Sequence, residues 1–197
     1  MYKIHNVFII LGIILILLLY IIIYLNIILD NFIIIKNNFL EKNDFIELCQ
    51  QLDDIKDEFT ENNEKIYILL DRNNSKYDKI YNIIYNKYLS QIIKDYFNII
   101  PPQKPSYDIE YRIYKKNKES MGWHQDYNVI KKKYLECIFV IENNTNSFFR
   151  WFKHFKLNNY YQRENDLILL KPDDIIHNID PILYGNKRIL KFIIDLE

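Results

Sequence analysis

The chain has 197 residues, and its 26 basic residues balance its 26 acidic residues, so the formal net charge at pH 7 is zero. This length suits one domain with additional segments and excludes two full catalytic domains. The charge balance excludes a global attraction to nucleic acid or anionic lipid, so any such binding would be local. Two cysteines, Cys49 and Cys137, lie far apart and outside any C-x-x-C spacing. We predict reduced thiols, with Cys137 in a core strand, in preference to a disulfide framework or a zinc cluster.

The N-terminal region contains a long apolar segment. Residues 7–29 include no charged residue and only one strongly polar residue, Asn26. A helix of this length, at about 1.5 Å per residue, would cross the roughly 30 Å hydrocarbon core of a bilayer. The segment is not followed by the small residues of a signal-peptide cleavage site. We therefore predict a transmembrane anchor at residues 1–30, a juxtamembrane connector at residues 31–43 and a single-pass membrane protein.

The flanking charges leave both membrane orientations open. Lys3 precedes the apolar segment, whereas Lys36 and Lys42 follow it. The remaining domain would then face either the lumen of the endoplasmic reticulum or the cytoplasm. Two glycosylation sequons, which begin at Asn73 and Asn143, would be used only in the lumenal orientation.

Residues 44–105 have apolar side chains at helical spacing and are predicted to form a helical support. The stretch DFIELCQQLDDIKDEF, residues 44–59, predicts a short amphipathic helix. A brief apolar run, KIYILL, follows at residues 65–70. Ser75 is predicted to cap a longer helix that extends to Tyr96, and the stretch PPQKP at residues 101–105 ends the helical region.

Residues 106–197 change to short runs rich in Ile, Tyr, Phe and Leu, which are separated by Asn, Lys and Asp. Such runs predict several short strands, which is typical of an all-β sandwich or barrel. The predicted strands are residues 107–114, 121–127, 134–142, 147–152, 167–171, 175–179 and 188–196. The predicted fold is therefore mainly β, with helices before the sheets.

The stretch WHQD, residues 123–126, is the strongest indication of a site. His124 and Asp126 are two positions apart, and residues at this spacing in a strand point to the same face. Of the remaining histidines, His154 lies among aromatic and cationic residues, whereas His177 lies between two apolar runs and is the better third ligand. Two imidazoles and one carboxylate leave three positions of an octahedral metal open, as in the facial triad of non-haem Fe(II) oxygenases.

A cation for a chelating cosubstrate follows the third candidate ligand. Lys187 and Arg188 lie ten and eleven residues after His177, at the start of the last predicted strand. A 2-oxo acid that chelates the metal needs a cation for its far carboxylate, and either side chain would form that charge-assisted pair.

The run from Tyr114 to Phe192 resembles the 2-oxoglutarate- and Fe(II)-dependent oxygenases. It is most similar to the prolyl 4-hydroxylase-like branch, which is frequent in large DNA viruses and in protists. The stretch YKKNKESMGWHQD resembles the family's strand pair from its tyrosine to its His-x-Asp motif. The stretches YLECIFVIENNTNSFFRW and HNIDPILYGNKRILKF resemble its central strand with hairpin and its distal histidine segment.

This resemblance implies a double-stranded β-helix, a jelly-roll or cupin-like fold, over residues 106–197. It implies that His124, Asp126 and His177 bind Fe(II) and that Lys187, with Arg188 as the reserve candidate, binds the distal carboxylate of 2-oxoglutarate. Tyr114 corresponds to a tyrosine that often hydrogen-bonds the cosubstrate. The implied activity is hydroxylation of a prolyl or lysyl residue of a protein, or of another C–H substrate, with O2 and decarboxylation of 2-oxoglutarate to succinate. Ascorbate is the expected reductant.

Three alternatives stay open. The chain would be a non-catalytic, membrane-anchored interaction or structural protein if the oxygenase scaffold had lost its activity. The stretch FFRWFKHFKLNNYYQR, residues 148–163, interleaves cations with aromatic residues and would suit a nucleic-acid demethylase of the same superfamily, although nucleic acid is not the expected partner. A cupin-like metalloprotein would use a different cosubstrate. No pattern indicates an oligomeric state.

Overall fold

The computed structural model describes residues 12–21, 33–61, 66–85, 87–100, 106–115, 122–126, 133–153, 156–172 and 175–196. The chain divides into two compact units, Met1–Asn31 and Phe32–Glu197. In the first unit, helix α1 covers residues 12–21. The strands and the other helices that the structure describes lie in the second unit.

The prediction of a single-pass membrane anchor is wrong. Within the described part of the chain, no helix is long and apolar enough to cross a membrane. The described helix α1 spans residues 12–21, which corresponds to a length of about 15 Å, half of a hydrocarbon core. The rest of the predicted anchor, residues 1–11 and 22–30, lies outside the described residues.

The described residues contain ten strands, which form two antiparallel sheets. In chain order they are β1 (Ile33–Lys36), β2 (Thr60–Glu61), β3 (Ile66–Leu70), β4 (Ile109–Lys115), β5 (Tyr134–Asn143), β6 (Phe149–Lys153), β7 (Lys156–Tyr160), β8 (Leu167–Leu170), β9 (His177–Ile179) and β10 (Asn186–Asp195). The major sheet has the order β1-β8-β5-β10-β4-β3-β2, and the minor sheet has the order β7-β6-β9. All of the paired strands are antiparallel. This arrangement confirms the prediction of a mainly β fold with two sheets.

In the described part of the second unit, three α-helices precede the strands that carry the candidate site. They are α2 (Lys42–Asp53), α3 (Asp78–Ile84) and α4 (Lys87–Phe97). The helix predicted from Ser75 to Tyr96 is divided, because Tyr85 has a non-helical ψ of 49°. Ser75 is not its cap, since Ser75 begins a 3-10 turn in which the Asn74 side chain accepts a hydrogen bond from the Lys76 backbone N–H.

The major sheet has apolar contacts on both faces. Its outer face packs against the helices, through side chains such as Leu48 and Ile84, while its inner face belongs to a second cluster shared with the minor sheet. Strand β5 is therefore buried along nearly its whole length. This burial explains why YLECIFVI reads as a continuous apolar run and not as an alternating one. Cys137 lies in this strand and is fully buried.

Several strand predictions differ from the structure. The predicted connector at residues 31–43 contains β1, which pairs with β8 in the major sheet. Strand β7 lies in the polar segment KLNNY, where the apolar pattern predicts no strand. The range 121–127 was predicted as a strand, but its described residues form only an isolated bridge between His124 and His177. Short strands such as β1 and β7 are stabilised by pairing with neighbouring strands, and the local sequence does not reveal that pairing.

Gly185 begins the turn into β10 and has a positive φ of 77°. A Cβ atom at this position would collide with the backbone carbonyl of Asn144. Only glycine combines this backbone conformation with such a close approach. The residue therefore determines how the chain enters the strand that carries Lys187.

We predict that Gly185→Ala lowers the free energy of unfolding by about 1–3 kcal/mol, because the substitution introduces both a strained φ and a collision with Asn144. Chemical denaturation measures the change. Gly122→Ala is the matched control, since a Cβ there has no heavy atom within 4 Å. Equal stability of the two variants would contradict the prediction.

Candidate active site

The backbone brings His124 next to His177 at the edge of the minor sheet. The N–H of His124 donates to the carbonyl of His177 at 3.0 Å, and the N–H of His177 donates to the carbonyl of His124 at 2.9 Å. His177 is the first residue of β9, whose neighbour is β6. This pair of hydrogen bonds makes the two histidines opposite residues of an antiparallel bridge, so their side chains share a face.

The side chains of His124, Asp126 and His177 converge. One ligand atom from each of the three residues lies within 4.8 Å of the others. His124 Nε2 is 3.8 Å from Asp126 Oδ1, and His177 Nε2 is 3.4 Å from Asp126 Oδ2. The imidazole centroids are 4.3 Å apart. The structure thus brings together the three residues that the sequence predicts as metal ligands.

Backbone hydrogen bonds orient both imidazole rings. His124 Nδ1 is 2.7 Å from the carbonyl oxygen of Gly122, and His177 Nδ1 is 3.1 Å from the carbonyl oxygen of Ile175. Because a carbonyl oxygen only accepts, each Nδ1 carries the proton in these bonds. Burial lowers the pKa of His177, which favours its neutral form. The neutral ring of His177 therefore directs the lone pair of its Nε2 towards the carboxylate of Asp126, and the Nε2 atom of His124 lies beside the same carboxylate.

The three residues fit a divalent metal ion. Two Nε2 lone pairs and a carboxylate face one another, and acceptor atoms in such an arrangement repel unless a cation lies between them. Among the described residues, the buried atoms His124 Nε2 and Asp126 Oδ2 have no hydrogen-bond partner. Unpaired buried acceptors are costly, and a metal ion would satisfy them. Two nitrogen ligands and one oxygen ligand suit Fe(II).

The two predicted cosubstrate cations lie on opposite faces of β10. Lys187 is buried on the inner face, where it lies across the strands from Tyr114 and Asn143 and donates to Gln162 Oε1. Burial lowers the pKa of its ammonium group from 10.5 to about 7. Tyr114 is also buried, and its hydroxyl accepts a hydrogen bond from Arg112 at 3.1 Å.

Arg188 is directed towards the helices. Its Nη1 is 2.6 Å from Asp53 Oδ1 on α2 and 3.0 Å from the hydroxyl of Tyr111, and its Nε is 2.6 Å from Glu142 Oε2. Adjacent residues of a strand point to opposite faces. The structure therefore brings Lys187, and not Arg188, to the inner face that Tyr114 occupies.

A buried ion pair on the inner face was not identified from the sequence. Lys191 Nζ is 2.6 Å from Glu136 Oε1, and both residues are largely buried. Burial raises the pKa of Glu136, although the Lys191 ammonium opposes this effect. The signal in the sequence is a single charge within each of two apolar runs, YLECIF and ILKFII. A lone charge in such a strand indicates an internal partner or a ligand.

Aromatic side chains surround the three candidate ligands. Phe149 is buried and its ring centroid lies 5.5 Å from that of His177. Trp123 is 46% exposed and packs against Phe152, which is 41% exposed, with 4.8 Å between the ring centroids. Because Trp123 directly precedes His124, this pair forms an exposed apolar surface beside the candidate metal centre.

Comparisons of the chain with known proteins identify the fold. The sequence matches no protein-family model, and no curated protein matches it. A prolyl hydroxylase from Trichoplax adhaerens, solved with a peptide fragment of the hypoxia-inducible factor, is 14% identical with a TM-score of 0.62. That comparison covers 88% of this chain and 86% of the hydroxylase.

Two other solved structures are similar over most of their length. A 2OG-Fe(II) oxygenase family oxidoreductase from Burkholderia pseudomallei is 10% identical with a TM-score of 0.65, covering 84% of this chain and 86% of that protein. The α-ketoglutarate-dependent carbocyclase SnoK of nogalamycin biosynthesis is 7% identical with a TM-score of 0.64, covering 84% and 80%. The chain therefore has the fold of the 2-oxoglutarate- and Fe(II)-dependent oxygenases, which confirms the predicted jelly roll. The viral or protist affiliation stays a prediction.

We predict that the protein binds one Fe(II) per chain. Each of the substitutions His124→Ala, Asp126→Ala and His177→Ala should weaken Fe(II) binding by more than about 100-fold, because substitution of a residue that only hydrogen-bonds to a metal ligand already lowers metal affinity by about 10–100-fold. Equilibrium dialysis without oxygen measures the affinity. Asp53→Asn is the control, because this carboxylate pairs with Arg188 on the outer face of the sheet. Wild-type iron affinity in the three alanine variants would contradict the assignment.

We predict that Lys187→Met raises the free energy of unfolding at pH 7 by up to about 4 kcal/mol, because the substitution removes a buried ammonium group. The pKa of Lys187 is lowered from 10.5 to about 7, so between these values the unfolded chain binds more protons than the folded chain. Wild-type stability therefore rises as the pH increases from 7 towards 10.5, and the substitution removes this rise.

Chemical denaturation at pH 7 and pH 10 tests this prediction. Lys79→Met is the control, since the side chain of Lys79 is 67% exposed. A stability difference between wild type and Lys187→Met that is the same at both pH values would contradict the buried charge.

Proposed function

We propose that this protein is an Fe(II)- and 2-oxoglutarate-dependent dioxygenase that hydroxylates a C–H bond, with a prolyl or lysyl residue of a protein as the expected substrate. One observation carries the proposal. Three metal-ligand atoms converge at the edge of the minor sheet, while the buried ammonium of Lys187 lies on the inner face of the opposite sheet. A chelating 2-oxo acid needs these two features together, a metal for one end and a cation for the other.

The bound metal and cosubstrate would supply the oxidative chemistry, in which one oxygen atom of O2 enters succinate, the other enters the substrate hydroxyl, and CO2 leaves. The residues of the chain supply binding and orientation. His124, Asp126 and His177 would hold the metal from one side, and the backbone carbonyls that accept from both Nδ1 atoms keep the rings in place.

Lys187 would pair with the distal carboxylate of 2-oxoglutarate. Its position on the inner face supports this role, and the two carboxylates around Arg188 argue against the reserve candidate. Tyr114 is the expected hydrogen-bonding partner of the cosubstrate, because it lies directly across from Lys187 on β4. Ascorbate is proposed as the reductant that returns iron to the Fe(II) state.

A protein substrate is favoured by the exposed aromatic pair of Trp123 and Phe152 beside His124. Tryptophan and phenylalanine contribute large apolar contacts in protein recognition. The demethylase alternative depends on free cations near the site, but Arg150 of β6 already pairs with Asp180 at 2.8 Å. That pair removes one cation from a nucleic-acid surface.

The inactive-scaffold alternative conflicts with the buried acceptors at the triad. A scaffold without metal would keep unpaired buried atoms at His124 and Asp126, which are expensive to desolvate. A cupin-like metalloprotein would bind metal equally well but would not turn over 2-oxoglutarate. Turnover of 2-oxoglutarate therefore separates the proposed function from both alternatives.

We predict that the full chain, supplied with Fe(II), ascorbate, 2-oxoglutarate and O2, forms succinate slowly even without substrate. His177→Ala should abolish this turnover because it removes a metal ligand. Lys187→Ala should raise the required 2-oxoglutarate concentration by about 100-fold, because it leaves the distal carboxylate without its cation. Chromatographic detection of succinate measures both effects.

Arg188→Ala is the matched control for Lys187→Ala. It removes the adjacent cation on the outer face and should leave the 2-oxoglutarate requirement unchanged, although it lowers stability by breaking the pair with Asp53. The proposal fails if wild-type protein with bound iron forms no succinate, or if His177→Ala forms succinate at the wild-type rate.

A further inference from the structure

The buried lysine of the inner face has an amide as its partner. Lys187 is 1% exposed, and its Nζ donates to Oε1 of Gln162, which is fully buried. Burial of an ammonium group is normally compensated by a carboxylate. A neutral partner satisfies one of the three ammonium protons, and among the described residues no carboxylate forms an ion pair with Lys187.

Gln162 is held in place by the strand that neighbours β10. Its backbone carbonyl accepts a hydrogen bond from Asn143 Nδ2 at 2.6 Å, and Asn143 lies directly across from Lys187. The turn that follows is anchored through Asn165, whose side chain exchanges hydrogen bonds of 2.8 and 2.9 Å with the backbone of Leu40. Gln162 is therefore preorganised by contacts on both sides.

The orientation of the Gln162 amide follows from its partner. An ammonium group only donates, so the amide atom that faces Lys187 is Oε1, and Nε2 is left to donate to another group. Among the described residues, this Nε2 is buried and has no hydrogen-bond partner. An unpaired buried donor beside a buried ammonium provides two kinds of donor, which suits a carboxylate.

We propose that Gln162 is a second binding residue for the distal carboxylate of 2-oxoglutarate, with Nε2 donating to one carboxylate oxygen while Lys187 donates to the other. This inference rests on the proposed function and adds a residue that the resemblance to the oxygenases does not assign. Oε1 at the same time orients the ammonium, so the amide both positions the cation and contacts the ligand. The result is selectivity for 2-oxo acids with a distal carboxylate.

Gln162→Glu tests this role with almost no change of shape. The new carboxylate would neutralise Lys187 from within, remove the Nε2 donor and repel the distal carboxylate of the ligand. We expect the affinity of the Fe(II)-loaded protein for 2-oxoglutarate to fall by about 100-fold or more. Iron affinity should be unchanged, and the melting temperature without ligand should rise because the buried ammonium gains a counter-charge.

Calorimetric titration without oxygen measures the binding of two ligands, 2-oxoglutarate and pyruvate. Pyruvate has the metal-chelating group but no distal carboxylate, so its affinity should be the same in wild type and Gln162→Glu. Gln162→Met removes the amide while keeping the length, and should weaken 2-oxoglutarate by about tenfold. Gln50→Glu, at an exposed position on α2, is the control for the added charge.

The outcomes separate this inference from the proposed function. Loss of 2-oxoglutarate binding with retained pyruvate and iron binding supports the inference. Wild-type 2-oxoglutarate affinity in Gln162→Glu overturns the inference and leaves the proposed function standing. Equal losses for both ligands assign Gln162 a purely structural role and also overturn it. If Fe(II)-loaded wild-type protein binds no 2-oxoglutarate, the proposed function fails and the inference fails with it.

Discussion

The antiparallel pairing of β5 with β10 is the constraint on which the rest of the structure depends. Each strand has a neighbour on both edges and apolar contacts on both faces. Because side chains alternate between the faces, each residue of these strands belongs either to the helical layer or to the space between the sheets. That alternation places Arg188 against Asp53 of α2 and Lys187 beside Tyr114, although the two cations are neighbours in the chain.

The space between the sheets has an unusual distribution of charge. Lys191 and Glu136 form a buried ion pair, whereas Lys187 has a neutral partner and the acceptors of the metal site face one another. Burial of a charge is compensated by a partner, by loss of the charge or by a ligand. For Lys191 and Glu136, each residue is the charged partner of the other. At Lys187 and at the triad, a ligand with a metal-binding end and an anionic end would satisfy both requirements at once.

The two halves of the proposed site come from different sheets. His177 and His124 are joined through backbone hydrogen bonds at the minor sheet, and Lys187 extends from the major sheet. Phe149 lies in the same apolar cluster as Tyr114 and also contacts His177, so packed side chains connect the two halves. In the proposed function, this arrangement would hold the two ends of the cosubstrate at separate, rigid positions, which would reduce the entropy lost on binding.

The sequence alone predicted that His124, Asp126 and His177 lie together, because the His-x-Asp spacing and the position of His177 between apolar runs are local features. It also predicted most strands of the second half and the helix at α2. It did not predict β7, β1 or the break at Tyr85, because these depend on pairing and packing with distant residues. The membrane anchor was predicted from hydropathy alone, and the described helices do not support it.

The choice between Lys187 and Arg188 was open in the sequence, since both lie at nearly the same distance from His177. Tertiary structure decided which of them is inside, through the register of β10 against β4 and β5. Gln162 had no signal in the sequence, because a glutamine in a turn is usually exposed and its burial here depends on Asn143 and Lys187. The sequence by itself determined which chemical groups are present and their local spacing. Only the tertiary structure decided which groups face each other, because strand register and burial arise from contacts between residues far apart in the chain.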